Sequence, residues 1–104
     1  MYEIRSETIN LEGKDVTVYE RDIYNHNVLT VSAGTNGLKD AGLDTWEVKT
    51  IFGIHDNGGT NMFVTSDEDG FHVILRGAAE LETVIRALEF ILQVLKDQKD
   101  GVVD

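Results

Sequence analysis

Residues 81–95, Leu-Glu-Thr-Val-Ile-Arg-Ala-Leu-Glu-Phe-Ile-Leu-Gln-Val-Leu, decide how the rest of the chain must fold. Ten of these fifteen residues are apolar, and they recur at helical rather than alternating spacing. On a helical wheel Leu81, Val84, Ile85, Leu88, Ile91, Leu92 and Leu95 form one stripe, and Ala87, Phe90 and Val94 form a shoulder that widens it to roughly 220° of the circumference. That is more than one sheet can cover. The stripe is expected to lie on the protein's own sheet, and the shoulder of Ala87, Phe90 and Val94 to form a dimer interface with a second copy.

The helix is expected to run from about Ala78 to Gln98. Glu80 and Glu82 near its start and Lys96 and Lys99 near its end complement the helix dipole, and Lys99-Asp100-Gly101 is a plausible stop. Upstream, apolar and polar residues alternate in short runs over 2–9, 15–21, 28–33, 46–55, 62–66 and 71–76, which read as strands. Glu12-Gly13-Lys14-Asp15 and Asp67-Glu68-Asp69-Gly70 are hairpin turns, with glycine free to take positive φ. Trp46 to His55 is the longest run and is expected to be a central strand. Residues 34–45 hold three glycines without any period, and are expected to form a flexible connection, a lid or a dimer-contact loop.

Strands within 2–76 followed by one helix give an α+β fold, with a mainly antiparallel sheet of five to six strands and the long C-terminal helix packed on one face. All 104 residues form one domain. The face carrying Trp46, Val48, Phe52, Ile54, Phe71, Val73 and Leu75 is expected to meet the helix.

Nineteen acidic against nine basic residues leave a net charge of −10, which opposes binding to duplex nucleic acid. The charge suits solubility, or docking on a basic protein surface. There is no cysteine, and therefore no disulfide framework, thiol nucleophile or cysteine-ligated metal. The N-terminal residues are charged and alternating, unlike a signal peptide, and the apolar helix is interrupted by Glu82, Arg86, Glu89 and Gln93, unlike a membrane span. A cytoplasmic protein is the expectation.

No constellation of residues announces catalysis. Ser6, Ser32 and Ser66 stand in no nucleophile elbow, and His26, His55 and His72 lack the helical spacing of a metal site, so neither catalytic residues, a metal nor a cofactor is expected. The glycines of 34–42 lack the Gly-Lys-Ser/Thr ending of a phosphate loop and run into a strand. By strand parity, Lys49, His72 and Arg76 share the sheet face away from the helix, where Arg5, Arg21 and Tyr19 can join them. Such a cluster can hold a small anion through charge-assisted donors, with Tyr19 as a stacking ring. Alternatively these cations pair across strands with Glu3, Glu7 and Glu47 on a solvated face. The helix start Arg76-Gly77-Ala78-Ala79, which has no side-chain cap, offers free amides as a second anion seat.

The order of Val28 to Gly34, the glycine-rich loop leading to Trp46-Glu47-Val48-Lys49-Thr50, and Arg76-Gly77-Ala78-Ala79-Glu80 opening an apolar helix resembles small proteins of Gram-positive bacteria and their phages. Over Val28 to Leu95 the layout is similar to the phage proteins that counter Thoeris immunity by sequestering a cyclic ADP-ribose-type signal. The resemblance implies a non-catalytic oligomer that buries its ligand near a subunit boundary, with Lys49 where a phosphate-binding cation is useful. The resulting expectation is a non-enzymatic homodimer or higher oligomer that holds a small anionic, nucleotide-like ligand through Lys49, Arg76, His72, Arg21, Arg5 and Tyr19. The alternative is an acidic inhibitor or adaptor docked on a basic protein surface, including a DNA mimic.

Overall fold

The computed structural model describes residues 4–102; the expected strand start at Tyr2, the pairing role of Glu3, and the end of the C-terminal tail lie outside them. Six strands, β1 (Arg5–Leu11), β2 (Lys14–Tyr24), β3 (Val28–Thr35), β4 (Thr50–Gly58), β5 (Met62–Ser66) and β6 (Phe71–Leu75), precede one helix, α1 (Ala78–Asp100). The fold is α+β and antiparallel throughout, but the strands form two sheets rather than the expected single one: a four-stranded meander β1-β2-β3-β4 and a separate hairpin β5-β6.

Local chemistry explains both the hairpins and the split. Glu12 and Gly13 both take positive φ, as a two-residue turn between right-twisted strands requires, and Leu11 therefore faces Lys14. After β4, the Asp56 carboxylate accepts the amides of Gly58 and Thr60, and the Thr60 hydroxyl donates to the Val28 carbonyl. These bonds turn the chain off the edge of β4 before β5 can add to it. The Arg76 amide then donates to the Asn61 carbonyl and closes the hairpin's root.

The expected long strand from Trp46 begins only at Thr50. Asn36 is the reason: its side chain donates to the Glu47 carbonyl and accepts the Lys49 amide, so backbone groups that a strand would satisfy in a ladder are satisfied locally. Thr45–Glu47 form a short 3-10 turn, in which the Glu47 carboxylate receives the Asp44 amide and a 2.7 Å ion pair from Lys14. Trp46 is 75% exposed, and β4 is an edge strand rather than a central one.

Helix α1 lies over β3 and β2; Ile91 and Leu95 of the expected stripe meet the core, but the rest of the helix is rotated away from the expectation. Ala87 and Phe90 are 0% and 8% exposed, clustered with Ile23, Leu29, Val31, Ala33 and Ile91, and Val94 packs against the same cluster. The shoulder assigned to a dimer interface is therefore the protomer's own core. Leu81, Ile85, Leu88 and Leu92, expected on the sheet, are 47–59% exposed.

Polar anchors set this rotation. Thr83, fully buried, bonds to both the Ala79 carbonyl and the Asn27 side chain at 2.8 Å. One hydroxyl proton cannot serve two acceptors. The arrangement is chemically consistent with the Asn27 amide nitrogen turned toward Thr83, which also gives that buried nitrogen the acceptor it otherwise lacks. At the other end the Gln98 amide donates to the Thr17 carbonyl and accepts the Thr35 amide, forming a side-chain rung where the β2–β3 pairing stops. Turning the leucine stripe onto the sheet would break both anchors and strand their buried partners, at about 1–3 kcal/mol each. Past Asp100, Gly101 adopts φ 73°, its amide and that of Val102 return to the Gln98 and Asp97 carbonyls, and Lys39 packs against it.

Candidate functional site

The register separates the residues expected to share an anion. Arg5 faces Glu20 across β1–β2, on the sheet face away from the helix, and its guanidinium pairs with Glu20 at 2.9 Å and Asp22 at 3.0 Å. Tyr19 and Arg21 pair with Ala33 and Val31, on the face that meets α1. Lys49 precedes β4 and binds Glu12 at 2.9 Å. His72 faces Thr65 in the separate hairpin. Arg76 lies beyond it, with its guanidinium 4.4 Å from the centre of the Phe63 ring. Of the six residues, the structure brings only Tyr19 and Arg21 to one surface. Parity applies within a strand, and Lys49 and Arg76 lie outside β4 and β6. It cannot be carried across a turn whose register is unknown, and the hairpin β5-β6 shares no sheet with the rest.

Acidic partners hold several of these cations. Arg5 and Thr30 keep the Asp22 carboxyl below the usual carboxylate range, Lys49 does the same to Glu12, and Lys14, with the Asp44 amide, to Glu47. Because the Asp22 pKa is lowered in the folded state, its contribution to stability is present above the unfolded carboxylate value of about 3.9 and is lost as pH falls through the folded one. Asp22→Asn is accordingly expected to be less stable than the parent near neutral pH, with the difference shrinking as pH falls below the usual carboxylate range. Urea titrations of both proteins at several pH values check this; a difference independent of pH excludes the carboxylate as its source.

The helix start offers little to an anion. Gly77, at φ 117°, has no side-chain cap, but the Glu80 carboxylate folds back to the Asn61 amide at 3.4 Å and puts negative charge beside the first turn. Among the described residues, no three His, Asp or Glu side chains gather as a metal site, and no helix is long and apolar enough to cross a membrane.

A groove between α1 and β2 is better built. Two adjoining hollows of about 630 and 420 Å³ share Ile4, Val94 and Asp97. The larger is lined by Thr17, Tyr19, Leu38, Gln98 and Val102, so part of the glycine-rich connection forms its wall. The smaller holds Arg21 and Arg86 against Phe90, with Glu89, Gln93 and Asp97 along the helix rim. Arg86 donates to the Tyr24 carbonyl at 2.6 Å, and Gln93 to Asp97 at 2.7 Å. Arg21 is different: its Nε is buried without an acceptor, and the side chain has no ion pair among the described residues. A buried N–H left without an acceptor is costly, and the half-buried guanidinium that carries it borders the smaller hollow, where an anion can pair with its outer nitrogens.

The sequence reading missed Arg86, Gln93, Val94 and Asp97 as groove residues. Their signal was available: residues 86, 89, 93 and 97 are a polar flank at helical spacing, and such a flank borders whatever lies beside the helix. No family model, no curated protein and no solved structure matches the chain.

Proposed function

We propose that this is a non-enzymatic, homo-oligomeric binding protein that holds a small anionic, nucleotide-like ligand in the groove between α1 and β2. The observation that carries this reading is Arg21, a cation whose Nε has no acceptor and which has no ion pair among the described residues, bordering a hollow large enough for a small molecule. A phosphate or carboxylate pairs with its guanidinium. Tyr19, two residues along on the same strand face, offers a ring to a flat group in the adjoining hollow, and Glu89 and Asp97 accept N–H or O–H donors from the ligand. A nucleotide combines those three features: an anion, a flat ring and exocyclic donors.

Isothermal titration with inorganic phosphate and a panel of linear and cyclic nucleotides tests this. At least one nucleotide is expected to bind, and Arg21→Gln to weaken it by about 10-fold or more while leaving the fold intact, as loss of a charge-assisted pair implies. Silence across the panel, or equal affinity in the variant, overturns the reading. The net charge of −10 favours a second one, an acidic adaptor on a basic protein surface. Its complex would weaken steeply with added salt, whereas binding in the groove would respond less.

A further inference from the structure

The chain contains two Asn-Gly sequences, Asn36-Gly37 and Asn57-Gly58, and the fold holds them in opposite ways. The chemistry at stake is local. The main-chain nitrogen of the glycine can attack the carbonyl carbon of the asparagine side chain, forming a C–N bond and expelling the side-chain nitrogen as ammonia. Water then opens the cyclic imide to aspartate or isoaspartate. Glycine favours the attack because no Cβ shields its nitrogen and its backbone bends freely.

Asn36 is locked against it. Its side chain donates to the Glu47 carbonyl at 3.1 Å and accepts the Lys49 amide at 2.7 Å, while the Gly37 amide donates to the Thr35 hydroxyl at 3.0 Å. The space around Gly37 is full as well, since a Cβ built there would lie 2.9 Å from the Val48 side chain.

Asn57 has none of this restraint. It is exposed, and the pairing of β3 with β4 skips it: Leu29 faces Asp56 and Val28 faces Gly58, so Asn57 is the extra residue of a bulge. Its side chain makes no hydrogen bond among the described residues. Beside Gly58 there is room, the nearest atoms to a built Cβ being those of Val28 at 4.0 Å. The Gly58 amide donates to the Asp56 carboxylate at 2.9 Å. An N–H lies in the plane of its peptide, whereas the attack proceeds through the face, so this bond leaves the path open and gives the departing proton an acceptor.

We propose that Asn57 is a site of spontaneous deamidation in the folded protein, and that the fold protects Asn36. Either product sets a second carboxylate next to Asp56. The isoaspartyl form also adds a methylene to the main chain, at the point where the Asp56 bonds to Gly58 and Thr60 turn the chain toward β5. The inference is independent of the groove and of any ligand there.

The full chain, held at physiological temperature in mildly alkaline buffer and then digested with trypsin, provides the test. Residues 22–39 and 50–76 are each released as one peptide, and mass spectrometry with fragmentation locates the converted asparagine. In the folded protein Asn57 is expected to convert at least about 10-fold faster than Asn36, whose hydrogen bonds must break first. In concentrated urea the two rates are expected to become comparable. Gly58→Ala, which the structure has room for, is expected to slow Asn57 severalfold and leave Asn36 unchanged. Equal rates in the folded protein, a difference that persists in urea, or a Gly58→Ala protein that converts Asn57 as fast as the parent would each overturn the assignment.

Discussion

Phe90→Asp is expected to unfold the protomer rather than release it from a partner. Phe90 is 8% exposed and packs with Ile23, Leu29, Val31 and Ile91, in a cluster whose buried members come only from β2, β3 and α1. Truncating a buried phenylalanine costs about 3–5 kcal/mol, and a carboxylate at the same position adds the penalty of an unpaired charge. Domains of this size have roughly 5–15 kcal/mol in total, so most or all of the folded population is lost. Circular dichroism and urea titration read this directly. The contrast with Leu88→Asp is informative, because the two residues are neighbours on one helix and only the exposed one tolerates the charge in the isolated protomer. A Phe90→Asp protein that unfolds cooperatively at the parent's urea midpoint would show that α1 is rotated away from the orientation described.

How far the fold could be read in advance depended on whether the deciding interactions were local. Helix α1 was expected over 78–98 and runs to Asp100, because amphipathic spacing and the Gly101 stop are properties of the segment itself. The hairpins at Glu12-Gly13 and Asp67–Gly70 were legible for the same reason; the Asp67 carboxylate accepts the amides of Asp69 and Gly70 within its own turn. Rotation of the helix was not. Counting apolar residues favours the leucine stripe as the buried face, but Thr83 and Gln98 meet Asn27, Thr17 and Thr35 from far along the chain, and those polar bonds select the other side. The separation of β5-β6 was hidden likewise, since the Thr60 bond to Val28 that diverts the chain spans 32 residues. Part of the site was recoverable. A two-residue turn at Glu12-Gly13 requires Leu11 opposite Lys14, which places Arg5 opposite Glu20 and so off the face of Tyr19 and Arg21. The placement of Arg21 beside the helix, without an ion pair among the described residues, was not, because it follows from the helix rotation.

Gly34→Ala is expected to destabilise the protein by about 3 kcal/mol, the upper range for forcing extra volume into a packed site, and to lower its melting temperature by roughly 15 °C. Gly34 closes the β2–β3 pairing opposite Val18, and a methyl group built there runs into the Thr17 carbonyl oxygen and comes within 2.9 Å of the Val18 Cα. Both obstacles are backbone, so no rotamer change relieves them. β2 would have to move away. The Thr17 carbonyl it carries is the acceptor of the Gln98 amide, whose oxygen receives the Thr35 amide from β3, so movement there loosens the rung that ties the end of α1 to the sheet. That rung also forms one end of the groove beside Tyr19, and the destabilised protein is expected to show faster amide exchange at Thr35 before global unfolding. Thermal melts with hydrogen exchange measure both effects. Unchanged melting with unchanged exchange would mean that β2 shifts freely at this point and that Gln98, rather than close strand approach, holds the end of the sheet.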